Sequence, residues 1–123
     1  MPDTTPGTPG TPGVAPTVID AEQDIATLIN VFAVSPERQR QLVEILEEAT
    51  EQVMRHLPGF RSANIHASRD GTKVVTYAQW ASAEDFHAML QDPPAREHMA
   101  RPDELAESID PNLYRVVSTH HRR

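Results

Sequence analysis

Two extended runs joined by a tight turn constrain this chain more than any other feature. Phe60–Arg69 and Thr72–Trp80 both read as strands, and Asp70-Gly71 stands between them. That dipeptide favours the type I′ turn of a two-residue hairpin, in which both central residues take positive φ. The two strands still need a sheet to join.

The rest of the chain supplies one. Thr27–Val34 (TLINVFAV) is β-branched and apolar, and Ser35-Pro36 after it predicts a helix capped by Ser35, with Pro36 as its first residue. Leu42, Ile45, Leu46, Ala49, Val53 and Leu57 then repeat at three and four residues, with acidic residues on the other side, so the helix should run to about His56. Pro58-Gly59 ends it. Ser82, Glu84 and Asp85 open a second helix carrying Phe86, Met89 and Leu90, which should break at Pro93-Pro94. Residues 94–110 read as short helical turns, and Leu113–His120 as a last strand. The order β-α-β-β-α-β predicts an α+β, ferredoxin-like antiparallel sheet with two helices on one face. In the first strand Leu28 and Phe32 point one way while Ile29, Val31 and Ala33 point the other, so the second face needs a cover. A partner subunit would provide it, and a homodimer is expected.

Composition narrows the function. Residues 1–22 repeat Gly-Thr-Pro and hold almost no bulky apolar side chain before Val18 and Ile19, which predicts a disordered tail ahead of one domain over 23–123. The net charge is −7 with no basic cluster beyond the C-terminal arginines, which argues against nucleic acid. The absence of cysteine excludes disulfides, thiolate nucleophiles and Cys-based metal sites. Neither a run of the ~20 apolar residues that span a bilayer nor a secretion leader is apparent, so a cytoplasmic protein without membrane partners is expected. The six histidines show no facial-triad or HExxH spacing, and no GxSxG elbow occurs, so neither a metal site nor a serine hydrolase is expected.

The succession Leu57-Pro58-Gly59-Phe60, Asn64-Ile65-His66, Asp70-Gly71, Tyr77-Ala78-Gln79-Trp80 and Ser82-Ala83-Glu84 resembles the antibiotic biosynthesis monooxygenase family over roughly residues 25–120. The resemblance implies a dimeric α+β barrel, two sheets packed face to face, with a pocket between each sheet and its helices. It also implies small oxygenases of aromatic polyketide pathways, some turning anthrones into quinones without metal, flavin or haem. A reduced flavin supplied from outside stays open. In the anthrone-oxygenase branch a pocket Asn lies on the first strand, a second Asn four residues before a Trp, and that Trp ends the third strand. Asn30 and Trp80 stand at the first and last of these places, Thr76 at the middle one; Ala78 stands where another branch has an acid.

The residues themselves leave alternatives open. Asn30, an amide in an apolar strand, needs a hydrogen-bond partner, either structural or a substrate oxygen. Trp80 serves as a core anchor, as a stacking surface for a flat substrate, or as both. His66 and Asn64 share a polar face of the second strand with Ser62 and Ser68. That face is either solvated or part of the pocket, and in the second case His66 is the natural general base. Asn30, Trp80 and His66 are thus the catalytic candidates; Asn64, Thr76, Phe32, Tyr77 and Phe86 are the substrate-binding ones, although the parity of Tyr77 also suits a subunit interface. The leading expectation is a cofactor-independent monooxygenase acting on a polycyclic aromatic polyketide with dioxygen. A cyclase or isomerase using His66, and a non-catalytic ligand-binding dimer, are its rivals.

Overall fold

The first strand in the chain is one of the two inner strands of the sheet. In the computed structural model, which describes residues 15–123, β1 (Ala26–Ala33) pairs antiparallel with β3 (Lys73–Trp80) on one side and β4 (Ser108–Tyr114) on the other. β2 (Phe60–Ala67) pairs with the outer side of β3, so the strand order is β2-β3-β1-β4. α1 (Gln39–Gln52), α2 (Ala83–Gln91) and α3 (Pro93–Leu105) fill the connections and pack on one face, giving the expected ferredoxin-like arrangement with one more helix than expected. Among the described residues no helix is long and apolar enough to cross a membrane.

α1 follows its apolar period. Leu42 is fully buried and Ala49 nearly so, while Glu44, Glu47 and Glu48 face outward. Its start differs from expectation. Ser35 does not cap it: the Ser35 carbonyl accepts from the Arg38 N–H (2.9 Å) in a preceding turn, and the helix begins at Gln39. Gln39 Nε2 then donates to the carbonyls of Ser68 (2.9 Å) and Lys73 (3.0 Å), tying the helix to the hairpin. Beyond Gln52 the chain tightens into a single 3₁₀ turn, Met54–His56.

The prolines account for the larger difference. Pro93-Pro94 does not merely stop α2; it also starts α3, a continuous 13-residue helix where short turns were expected. Proline suits the first turn of a helix, whose N–H groups have no intrahelical acceptor, and the Asp92 carboxylate caps the new helix by accepting from the Ala95 N–H (3.1 Å). Pro102 lies inside α3 and is buried against the core. The last strand likewise starts earlier than Leu113 and contains Pro111. β4 pairs only with β1, and an edge strand tolerates a residue that cannot donate on both sides. As for the tail, residues 1–14 fall outside the described residues. Residues 15–22 do hold to the sheet: Thr17 Oγ1 donates to Asn64 Oδ1 (2.6 Å) and Gln79 Nε2 to the Val18 carbonyl (2.8 Å).

The hairpin forms, with a different turn. The Ser68 N–H donates to the Lys73 carbonyl (3.0 Å), closing a four-residue loop, and the Gly71 N–H donates to the Ser68 carbonyl (3.1 Å). Arg69 and Asp70 are thus the turn's central pair, and Gly71 follows at φ +82°, where a side chain would be strained. Asp70 organises the loop: one carboxylate oxygen accepts from Ser68 Oγ (2.8 Å), Thr72 N (3.0 Å) and Thr72 Oγ1 (2.7 Å). The hydrogen bonds from Thr72, then that from Ser68, hold its pKa down from the usual 3.8 to about 2. Because the folded value lies below the unfolded one, the carboxylate stabilises the fold at higher pH and loses this effect as pH falls from 3.8 toward about 2. Asp70→Asn should therefore lower the melting temperature at neutral pH and converge with the wild type near pH 2 in thermal scans; a constant difference across that range would contradict the assignment.

Candidate active site

The inner face of the sheet carries two apolar clusters with a polar gap between them. Ala78, Trp80, Phe86, Met89 and Ala95 form one; Phe32, Val34, Leu42 and Val74 form the other. Asn30 and Thr76 face each other across β1 and β3, in the register between Leu28–Ala78 and Phe32–Val74. On the other side of Asn30 stands Pro111 of β4. Strand alternation thus places an amide and a hydroxyl on the face that packs toward the helices, where neighbouring positions are apolar. Above them lies a cavity of about 730 Å³, walled by the sheet, by Leu46, Ala49 and Thr50 of α1, and by α2 and α3.

Three of its polar groups have no partners among the described residues. Asn30 Oδ1, Thr76 Oγ1 and Trp80 Nε1 are buried, and none is hydrogen-bonded by another described residue. Trp80 is 2% exposed and held edge-on by Phe60 (centroids 5.5 Å, 85°) and Phe86 (6.3 Å, 68°), so packing fixes where its N–H points. Leaving a buried donor or acceptor unpaired costs about 1–3 kcal/mol. A fourth such atom, Thr27 Oγ1, lies on the opposite face. An amide oxygen that accepts, a hydroxyl that both donates and accepts and an indole N–H that donates thus belong to residues lining one largely apolar cavity.

The sequence-derived candidates divide between the two faces. Asn30, Thr76, Trp80, Phe32 and Phe86 all line the cavity. His66, Asn64 and Tyr77 do not. Ala63 and Ile65 pair with Ala78 and Thr76 on the cavity side, so Ser62, Asn64 and His66 turn to the outer face with Gln79, Tyr77 and Val75. His66 is exposed there, and Asn64 bonds within the protein, donating through Nδ2 to the Tyr77 carbonyl (3.1 Å) and accepting from Thr17. A register shift between Phe60 and Ser62 brings Phe60 to the cavity side, although its even number matches the outer-facing residues.

Sequence reasoning missed the helical wall. His87 on α2, with His98 and Asp103 on α3, are the titratable residues of the cavity lining. His98, Met99, Pro102 and Asp103 fall at i, i+1, i+4 and i+5, one face of a helix, a pattern hidden while the segment was read as irregular turns. Burial raises the pKa of the Asp103 carboxyl from its usual value. Among the described residues no group of three or more His, Cys, Asp or Glu side chains is placed to hold a metal ion.

Thr76→Val tests the site by stability alone. Replacing the unpaired hydroxyl by a methyl should stabilise the protein by about 1 kcal/mol, read as a higher melting temperature. A loss of that size would mean that the hydroxyl is bonded in the folded protein.

Known proteins are similar to this chain in sequence and fold. The model of the family described as antibiotic biosynthesis monooxygenase matches residues 25–101. Tetracenomycin-F1 monooxygenase of Streptomyces glaucescens is 52% identical over 80 residues, covering 65% of this chain and 71% of that one. Among solved structures, the ActVA-Orf6 monooxygenase of Streptomyces coelicolor, in complex with nanaomycin D, superposes with a TM-score of 0.73 at 29% identity, over 80% of this chain and 93% of that one. SnoaB of Streptomyces nogalater, a cofactor-independent oxygenase, shares the fold with a TM-score of 0.67 at 21% identity, over 78% and 96% of the two chains.

Proposed function

The chain belongs to the antibiotic biosynthesis monooxygenase family, and we propose that it is a cofactor-independent monooxygenase that oxidises a polycyclic aromatic polyketide from anthrone to quinone, working as a cytoplasmic homodimer. The observation that carries this reading is the set of three unpaired polar atoms in an apolar cavity. The cavity volume falls within the ~300–1,000 Å³ of pockets that enclose drug-sized ligands. The similar tetracenomycin-F1 and ActVA-Orf6 enzymes support the same substrate class.

The chemistry asks little of the protein beyond placement. Loss of a proton from the central ring carbon leaves an electron-rich anion, delocalised onto the ring oxygens. That anion reduces dioxygen, and a carbon–oxygen bond forms. The resulting hydroperoxide loses water as a second C–H proton leaves, so the ring CH₂ becomes C=O, one oxygen atom enters the product and the other leaves as water. All four electrons come from the substrate. The Trp80 N–H and the Thr76 hydroxyl are donors for the oxygens where charge develops, while the Asn30 amide holds a phenolic or carbonyl edge. A bound aromatic ring would displace water from between the largely apolar walls. The cyclase reading rested on His66, which stands on the outer face.

Oxygen uptake with 1,8-dihydroxyanthrone, in chelator and without added cofactor, tests the reaction. The Trp80→Phe, Asn30→Ala double variant should lose about a hundredfold or more in rate. Equal rates for the two proteins, or anaerobic turnover of the same substrate, would sink the proposal.

The outer face supports the dimer. Ile29, Val31, Val75 and Tyr77 share it, and Val18, Ile19 and Tyr114 nearby are 65%, 50% and 48% exposed. Val31→Asp should shift sedimentation from dimer to monomer; a wild type that sediments as a monomer would overturn this part.

A further inference from the structure

The two walls of the cavity differ in chemistry. The sheet offers Asn30, Thr76 and Trp80, all uncharged and none able to accept a proton readily near neutrality. α1 and the turn after it offer Leu46, Ala49, Thr50 and Met54, none of which titrates in the working range. The oxidation nevertheless begins by moving a proton off the substrate, and that proton needs an acceptor within reach of the ring. Every titratable group of the lining comes from α2 or α3: His87, His98 and Asp103.

Position separates these three. His87 adjoins Phe86, its ring 5.5 Å from the Phe86 ring, and so belongs to the Trp80 end of the cavity. His98 precedes Met99, which packs on that same cluster. Asp103 follows the buried Pro102 and lies two residues before Leu105, which packs on the other cluster with Phe32 and Val74. Along α3 it thus lies between Met99, packed on the first cluster, and Leu105, packed on the second, and it lines the cavity that Asn30 and Thr76 line from the sheet side. Its carboxylate makes no ion pair or hydrogen bond with the described residues, whereas its neighbour Arg101 is paired with Glu48 (2.9 Å). It is exposed at the rim of the cavity, and Glu48 of α1 is engaged by Arg101.

We propose that Asp103 is the general base of the reaction, taking the first proton from the substrate carbon and returning it to the peroxide. This rests on the reading of the cavity as an oxygenase site. In the first step the C–H bond breaks, its electron pair stays on the ring, and the proton goes to a carboxylate oxygen of Asp103. After dioxygen has accepted the electrons and bonded to carbon, the protonated Asp103 delivers that proton to the distal peroxide oxygen. Loss of the second C–H proton to the restored carboxylate then breaks the O–O bond, and hydroxide leaves to become water. Burial already raises the proton affinity of this carboxyl, and a bound aromatic ring would bury it further.

The test mixes protein with 1,8-dihydroxyanthrone without oxygen and reads the absorbance of the substrate anion, then admits oxygen and measures turnover against pH. The wild type should form the anion on binding. Asp103→Asn should bind the anthrone yet lose the anion band and about a hundredfold in kcat. It should also lose the acidic limb of the kcat/KM profile, which in the wild type falls as pH drops through the raised pKa of Asp103. Asp103→Glu should recover part of the rate, and His98→Gln and His87→Gln should keep both the anion band and the acidic limb. An Asp103→Asn protein that keeps the anion band and the acidic limb overturns the assignment, as does loss of both in His98→Gln. A wild type without oxygen uptake would instead overturn the oxygenase reading beneath it.

Discussion

Three buried polar atoms of the cavity without partners among the described residues are the constraint around which this structure is organised. In an ordinary small domain such atoms are paired, because each orphan costs a sizeable part of a marginal stability. Here the pairing of β1 with β3 sets Asn30 against Thr76 in the middle of an otherwise apolar face, and Trp80 closes the row with its N–H buried and unpaired. Two apolar clusters hold the sheet and helices together above and below that layer. The fold is stable on either side of the cavity and left polar within it, which is the arrangement that a ligand with matching oxygens completes.

The opposite wall adds what the sheet lacks. α3 exists as one helix because Asp92 and Pro93-Pro94 begin it, and as a helix it turns His98 and Asp103 toward the cavity. A neutral, rigid wall with hydrogen-bonding groups faces a wall that can exchange protons. Such a division suits a reaction in which the substrate supplies every electron and the protein manages protons, orientation and water.

Much of the fold was legible in the sequence, for reasons that particular residues make plain. Alternation in β1 separated Leu28 and Phe32 from Ile29, Val31 and Ala33, and the helical period from Leu42 to Ala49 identified the buried side of α1. That Asn30, Thr76 and Trp80 share one side follows from the register of β1 on β3, which alternation within a single strand does not give. What could not be read was which face of β2 meets the cavity. Parity groups Asn64 with His66 but does not say where the group points, and the bulge after Phe60 reverses the parity at the very start of the strand. The helical wall was hidden by proline, whose restriction reads as punctuation in sequence although the first turn of a helix accommodates it. Asp103 lay in that segment, so the one carboxylate of the cavity went unnoticed.

Trp80 is the only tryptophan in the chain, so its indole N–H gives a single resonance that reports directly on the central claim. The most direct measurement is the ¹H–¹⁵N spectrum of the indole during anaerobic titration with 1,8-dihydroxyanthrone. The account predicts a saturable downfield shift of the indole proton with slower solvent exchange, as an orphan donor acquires an oxygen acceptor. An indole signal that neither moves nor gains protection at saturating anthrone would contradict it.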